Sequence, residues 1–222
     1  MKPLAKILIA GSALAALTIS PACADSSSSA SGSQILNGQV NFQSNISTLN
    51  TAINDVGGDV GVQSVAGANV VDITTMNDTE VNSSQYSNGA QTTSTLNAQV
   101  ANVGGNVGMV NQAVCNSTTV STDPAVTAVT NYQECAAKDP TATAHADVSG
   151  VGGSFSLANS AISNNFEADT NAANMPINNK QINSAMDVSS VTANVAHVAG
   201  TASVTSTAIG NNAQIVHYST GP

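Results

Sequence analysis

Ser47-Thr48-Leu49-Asn50, followed by Val56-Gly57-Gly58-Asp59-Val60-Gly61, returns 47 residues later as Ser94-Thr95-Leu96-Asn97 and Val103-Gly104-Gly105-Asn106-Val107-Gly108. A third copy is Val151-Gly152-Gly153-Ser154-Phe155, and a fourth, degraded one is Val198-Ala199-Gly200-Thr201-Ala202. The anchoring valines Val56, Val103, Val151 and Val198 are spaced 47, 48 and 47 residues apart. Ile53, Val100, Val148 and Val195 stand three residues before the anchors, and Ala66, Ala113, Ala161 and Ala208 ten after. Asn69, Asn116, Asn164 and Asn211 stand thirteen after. Chance supplies one such match in a chain of low complexity; four columns in one register mark an internal repeat.

Within a repeat the local period is two. Val191-Thr192-Ala193-Asn194-Val195-Ala196-His197-Val198 alternates throughout, as does Gln39-Val40-Asn41-Phe42-Gln43. That alternation marks half-buried strands. The paired glycines read as strand breaks that permit a positive φ at a corner. Composition agrees. The chain has 222 residues, 41% hydrophobic, 3% aromatic and 8% charged, against about 25% charged in an ordinary soluble domain. Val, Ala, Asn, Ser, Thr and Gly dominate. β-branched residues lose side-chain freedom in a helix, and Asn and Ser compete there for backbone hydrogen bonds.

One such unit cannot bury its apolar face alone, whereas stacked neighbours bury it jointly. The expected fold is therefore all-β: a β-solenoid (β-helix), right- or left-handed, of four 47–48-residue repeats. A β-sandwich of repeated hairpins is the main alternative. A helical solenoid would want Leu, Glu and Lys at a 3.6-residue period, which is absent. Each repeat reads as two strand-turn coils of about 23 residues, which at about 4.8 Å per strand makes a stack about 40 Å long. Equivalent asparagines would form amide ladders along the axis. The division is a signal peptide over 1–24, a Ser-rich leader and first strand over 25–46, repeats over 47–93, 94–141 and 142–188, and a partial repeat over 189–222. The stretch Thr122–Thr143, with Pro124 and Pro140, reads as a loop elaboration of the second repeat.

Export is written at the N-terminus. Lys2 and Lys6 precede the apolar run Ile7–Ile19, and Ala22-Cys23-Ala24 is a small-x-small cleavage site. The apolar run is too short to span a bilayer. Cys23 also permits lipidation of the bacterial lipoprotein kind, although Ser20 stands where such a signal usually has Leu. Cleavage leaves two lysines against 13 acids, a net charge of −11, which excludes nucleic acid as a partner. Cys115 and Cys135 remain, and two cysteines in an exported chain most often pair.

Catalytic signatures are missing: no His-Glu-x-x-His, Cys-x-x-Cys, phosphate-binding Gly loop or Gly-x-Ser-x-Gly elbow occurs, and there is no Arg. No cofactor is expected. His145, His197 and His217 are the only histidines, with His197 an exposed strand residue by its pattern. Asp55, Asp59 and Asp72 raise calcium, but the second and third copies replace Asp59 with Asn106 and Ser154, so turn capping is the better reading.

Ser160-Ala161-Ile162-Ser163-Asn164-Asn165 and Thr207-Ala208-Ile209-Gly210-Asn211-Asn212 resemble the holdfast-anchor proteins of stalked bacteria, and the Asn/Gln/Ser/Gly pattern resembles curli-type fibre subunits. The resemblance implies a non-enzymatic, exported cell-surface or outer-membrane protein. It would be an adhesin, anchor or fibre subunit that attaches a surface polymer to the envelope. Partners are then further copies, other envelope or adhesin proteins, or a surface polysaccharide. A secreted β-solenoid enzyme or polysaccharide-binding module is the alternative. The last strand of a stack leaves N–H and C=O groups unpaired. The uncharged end segment with Ile215, Val216 and Tyr218 is therefore the expected association edge.

Overall fold

The computed structural model describes residues 33–88, 91–123, 127–136, 140–171 and 174–218. The expected signal peptide, with Cys23, falls outside them. The described chain winds through twelve strands. The first coil holds β1 (Ser33–Asn41), β2 (Asn45–Val56) and β3 (Val60–Thr75). The second holds β4 (Thr79–Ser87), β5 (Thr92–Val103) and β6 (Val107–Thr122). The third holds β7 (Thr127–Cys135), β8 (Thr141–Val151) and β9 (Phe155–Thr170), and the fourth β10 (Ile177–Asn183), β11 (Val188–Val198) and β12 (Ala202–His217). They form three parallel sheets of four strands: β1-β4-β7-β10, β2-β5-β8-β11 and β3-β6-β9-β12. Each coil contributes one strand to each sheet, as a β-solenoid requires.

One repeat is one coil of three strands, not two coils of about 23 residues. Val56 pairs with Val103, Val103 with Val151 and Val151 with Val198, each on the neighbouring coil. Four coils at about 4.8 Å per step place the first and last only about 14 Å apart, not 40 Å. The coils span 33–75, 79–122, 127–170 and 177–217. So β1 lies within 25–46, read as leader and first strand, and the fourth coil has all three strands. Of the expected loop elaboration at Thr122–Thr143, the described residues are mainly the end of β6, the whole of β7 and the start of β8.

The third sheet explains why the period misleads. Its strands are 16 residues long and bend midway. Along β6 the buried residues are Val107, Met109, Asn111 and Ala113, then Val114, Cys115 and Asn116 without alternation, then Thr118, Val120 and Thr122. The inward face therefore switches parity at the bend. The first half of each strand packs on the second sheet, in a core with Leu96, Val100, Val103, Val107, Met109, Val148, Phe155 and Leu157. The second half packs on the first sheet, around Val81, Val120, Val129 and Phe166.

The glycine pairs do not take positive φ. Among the described glycines only Gly150 does, at 67°. The pairs are needed because stacked corners nearly touch. A Cβ on Gly104 would lie 2.8 Å from the Gly57 carbonyl oxygen, and one on Gly152 2.5 Å from that of Gly104. Positive φ falls instead just before the anchors, at Asp55, Asn102, Gly150 and His197. These are the residue types that tolerate the left-handed region best. His197 is exposed, as expected, but it occupies this bulge rather than a regular strand position.

Candidate association edges

Side-chain ladders run through the interior along the axis. The Asn69, Asn116, Asn164 and Asn211 column is one of them: Asn69 Nδ2 donates to Asn116 Oδ1 at 2.9 Å, Asn116 to Asn164 at 2.8 Å and Asn164 to Asn211 at 2.7 Å. A second ladder of Gln39, Gln85, Gln133 and Gln181 runs the other way. Gln85 Nε2 donates to Gln39 Oε1 at 2.7 Å, Gln133 to Gln85 at 2.8 Å and Gln181 to Gln133 at 2.8 Å. Each of these glutamines also donates to a backbone carbonyl of the third sheet: Val70, Ser117, Asn165 or Asn212. In sequence the glutamine column is masked because its first step is 46 residues and the next two are 48. A third buried column, Ser64, Asn111 and Asn159, ties the second and third sheets; Asn111 Nδ2 donates to Asn159 Oδ1 at 2.7 Å. In a core this polar, such ladders satisfy groups that are costly to leave unpaired.

Cys115 and Cys135 are joined, with Cα atoms 6.1 Å apart and both side chains fully buried. The bond crosses from the bend of β6 in the second coil to the end of β7 in the third, so it staples two coils. The equivalent place one coil later is polar: Ser163 donates to Asp187 Oδ1 at 2.7 Å.

The aspartates raised for calcium act as turn acceptors. Asp55 Oδ1 accepts from Asn102 Nδ2 at 3.0 Å, and Asp59 Oδ1 accepts from the Asn106 backbone N–H at 2.7 Å. Asn106 Oδ1 in turn accepts from the Ser154 N–H at 2.9 Å. Asp72 faces outward on β3 and joins neither. Among the described residues no group of three or more His, Cys, Asp or Glu side chains could hold a metal ion.

The outer face of the first sheet gathers chemistry that sequence order disperses. Phe42 packs edge-on to Tyr86 with ring centres 6.3 Å apart, and Lys180 Nζ lies 5.4 Å from the centre of the Tyr132 ring. The Tyr132 hydroxyl donates to Glu134. That bond, then burial and the Glu134 and Tyr86 charges, hold the phenol above its ordinary 10.0. On the outer face of the second sheet His145 Nε2 lies 3.4 Å from Asp147 Oδ2, both side chains nearly half exposed. His217 ends β12.

The two ends of the stack differ from its middle. Val81 and Val129 are at most 1% exposed, whereas Ile35 and Ile177, in the same column, are only partly buried. Val120 is fully buried, whereas Ile215 at the end of its column is 54% exposed. Core-facing side chains of the first and fourth coils are thus open to solvent. The outer edges of β1, β2 and β3 at one end, and of β10, β11 and β12 at the other, pair with no strand among the described residues. Of the expected edge residues, Ile215 faces the core, Val216 the opposite side, and Tyr218 lies just past β12, 56% exposed.

Residues 54–221 match the family model described as holdfast attachment protein D. No curated protein and no solved structure matches the chain. Of the two surface families the sequence resembles, the match is to the holdfast one.

Proposed function

Because the chain belongs to the holdfast attachment protein D family, we propose that it is a non-enzymatic anchor, exported to the bacterial cell surface, that helps hold a surface polymer to the outer envelope through the open ends of its solenoid. The observation that carries this reading is the pair of stack ends, which no strand among the described residues covers. Solenoids that stay apart in solution cover their ends with atypical polar or helical repeats. Among the described residues the last coil instead presents apolar core positions and an unpaired strand edge, with Val204 44% and Ile215 54% exposed. An edge of that kind templates the addition of another strand. The family's attachment role gives such an edge a use, and the aromatic outer face of the first sheet leaves a second surface for partners.

Charge tunes the association. The exported chain carries a net −11 with its first two lysines removed, so like-charged copies or partners repel until salt screens them. In sedimentation of the purified protein, association should strengthen from about 10 mM to 500 mM salt, where the screening length falls from about 30 Å to below 5 Å. Ile215→Lys should abolish it by placing a charge on the open edge. In holdfast-bearing cells expressing only the Ile215→Lys chain, surface polymer should be shed into the medium, as in cells lacking the protein. Retention of the polymer in both strains would overturn the proposal.

A further inference from the structure

We propose that the occupant of each open end is the opposite end of a second copy, stacked head to tail so that β10, β11 and β12 of one chain pair in parallel with β1, β2 and β3 of the next. This rests on the anchoring role of the ends and names what docks there.

The two ends match column by column. Continuing the registers that join the coils, Ile177 meets Ile35, Asn179 meets Asn37, Gln181 meets Gln39 and Val198 meets Val56. On the third sheet Val204 meets Val62, Ser206 meets Ser64, Ala208 meets Ala66, Asn211 meets Asn69 and Ile215 meets Ile73. Apolar falls on apolar and amide on amide. The paired edges have similar lengths: 7 against 9 residues, 11 against 12 and 16 against 16.

The amide ladders fix the polarity. Each asparagine of its ladder donates toward the fourth coil, so Asn211 Nδ2 points out of that end and Asn69 Oδ1 out of the other. Each glutamine donates toward the first coil, so Gln181 Oε1 faces out at the fourth coil, and Gln39 Nε2 has one N–H beyond its bond to Val70. Head-to-tail stacking joins donor to acceptor in both ladders at once. At the bulge column it also sets the Asp55 carboxylate of one copy beside His197 of the other. A two-fold arrangement of like ends fails on the same facts. At the fourth-coil end it turns the Asn211 donors of the two copies toward each other, and at either end it can lay only one sheet on its own kind. At the first-coil end the other two sheets would then set strands of unequal length, among 9, 12 and 16 residues, against each other.

The winding of the described residues leaves both ends open to the stack. The described chain enters the first coil at Ser33 and leaves the fourth at Tyr218, both at the corner between the third and first sheets. Because the interface is heterologous and its rotation is only that of one coil on the next, it does not close, and it generates filaments.

Thr48 and Ser190 end one outward column, through Thr95 and Thr143. In the stack they become direct neighbours on adjacent strands, within reach of a disulfide. In a Cys23→Ser background, Thr48→Cys and Ser190→Cys chains should cross-link when mixed and oxidised, and neither should cross-link alone. A chain carrying both changes should give a ladder of multimers. Gly58→Ala supplies the control. A Cβ there meets nothing within 4 Å in a single chain, yet on the equivalent Gly105, Gly153 and Gly200 it would strike the backbone of the coil beneath at 2.7 to 2.9 Å. Gly58→Ala should therefore leave the circular dichroism and melting of the monomer unchanged and reduce cross-linking at least tenfold. Ser190→Cys linking to itself, no mixed product, or cross-linking that survives Gly58→Ala would overturn the stack. Polymer shedding by the Ile215→Lys strain alongside any of those results would leave the anchor reading standing with a different occupant.

Discussion

At the scale of single residues, the interior is held by amides as much as by hydrocarbon. Asn116 is fully buried and both accepts from Asn69 and donates to Asn164. Asn116→Ala removes two bonds and leaves a buried donor and a buried acceptor without partners, each costing about 1–3 kcal/mol. Its melting temperature should fall by roughly 4 °C or more, since about 1 kcal/mol shifts a chain of this size by 2–4 °C. Gly152→Ala should also destabilise, by about 1–3 kcal/mol, because its Cβ would press on the rigid Gly104 carbonyl at 2.5 Å; urea unfolding of the two variants beside the parent measures both. The asparagine column was legible in sequence because its spacing equals that of the anchoring valines. The reason for the glycines was not. A Gly-Gly pair signals either positive φ or close backbone approach, and only the stacked coordinates separate the two. The residues before the anchors, Asp55, Asn102, Gly150 and His197, carried the positive-φ signal openly by type.

At the scale of elements, the sequence shows the strands but hides how many make a coil. Gly-Gly marks only one of three corners per turn, so a 47-residue coil looks divisible in two. The bend in the third sheet worsens this. The Ala113 and Asn116 columns lie three residues apart, which simple alternation puts on opposite faces, yet both are buried. The same bend carries Cys115, whose partner Cys135 ends a strand that in sequence, between Pro124 and Pro140, resembles a loop. The staple closes a loop of about 20 residues, and a cross-link of that size stabilises by about 3 kcal/mol in the chain-entropy model. The Cys115→Ala, Cys135→Ala double variant should lose about that much in denaturant unfolding. The unreduced parent should show neither cysteine open to alkylation until it unfolds, as mass spectrometry of labelled protein would read. Alkylation of both thiols in the folded parent would contradict the staple.

At the scale of the whole molecule, protection should vary along the axis rather than between sheets. Amides of β4, β5, β6, β7, β8 and β9 lie in the two inner coils, paired on both sides. Those of β1, β2 and β3, and of β10, β11 and β12, lie in coils with one open edge. Hydrogen exchange of the monomer, followed by mass spectrometry, should therefore find the slowest amides in the strands of 79–170 and the fastest in the outer coils, since local opening draws on regions with few buried contacts. Uniform exchange across all four coils of the monomer would contradict open edges on the outer coils. The architecture was legible in sequence because every coil repeats the same contacts with the same residue types. The match of the two ends was not, because it lies between residues some 140 positions apart in the chain, such as Val56 and Val198.

The direction of the inter-strand bonds has a mechanical consequence. In all three sheets they run along the solenoid axis. A pull applied evenly across the two ends loads three rows of bonds together, and none yields before its neighbours. A pull on the chain termini does something else. It enters at the corners beside Ser33 and Tyr218, peels one strand at a time, and unwinds the outer coils first. From either terminus the unwinding stops at a covalent knot, Cys115 from one side and Cys135 from the other, leaving the segment between them slack. Force spectroscopy should find a tether that gives way in short steps and then arrests, with a contour about 20 residues shorter than the full chain until a reductant is added.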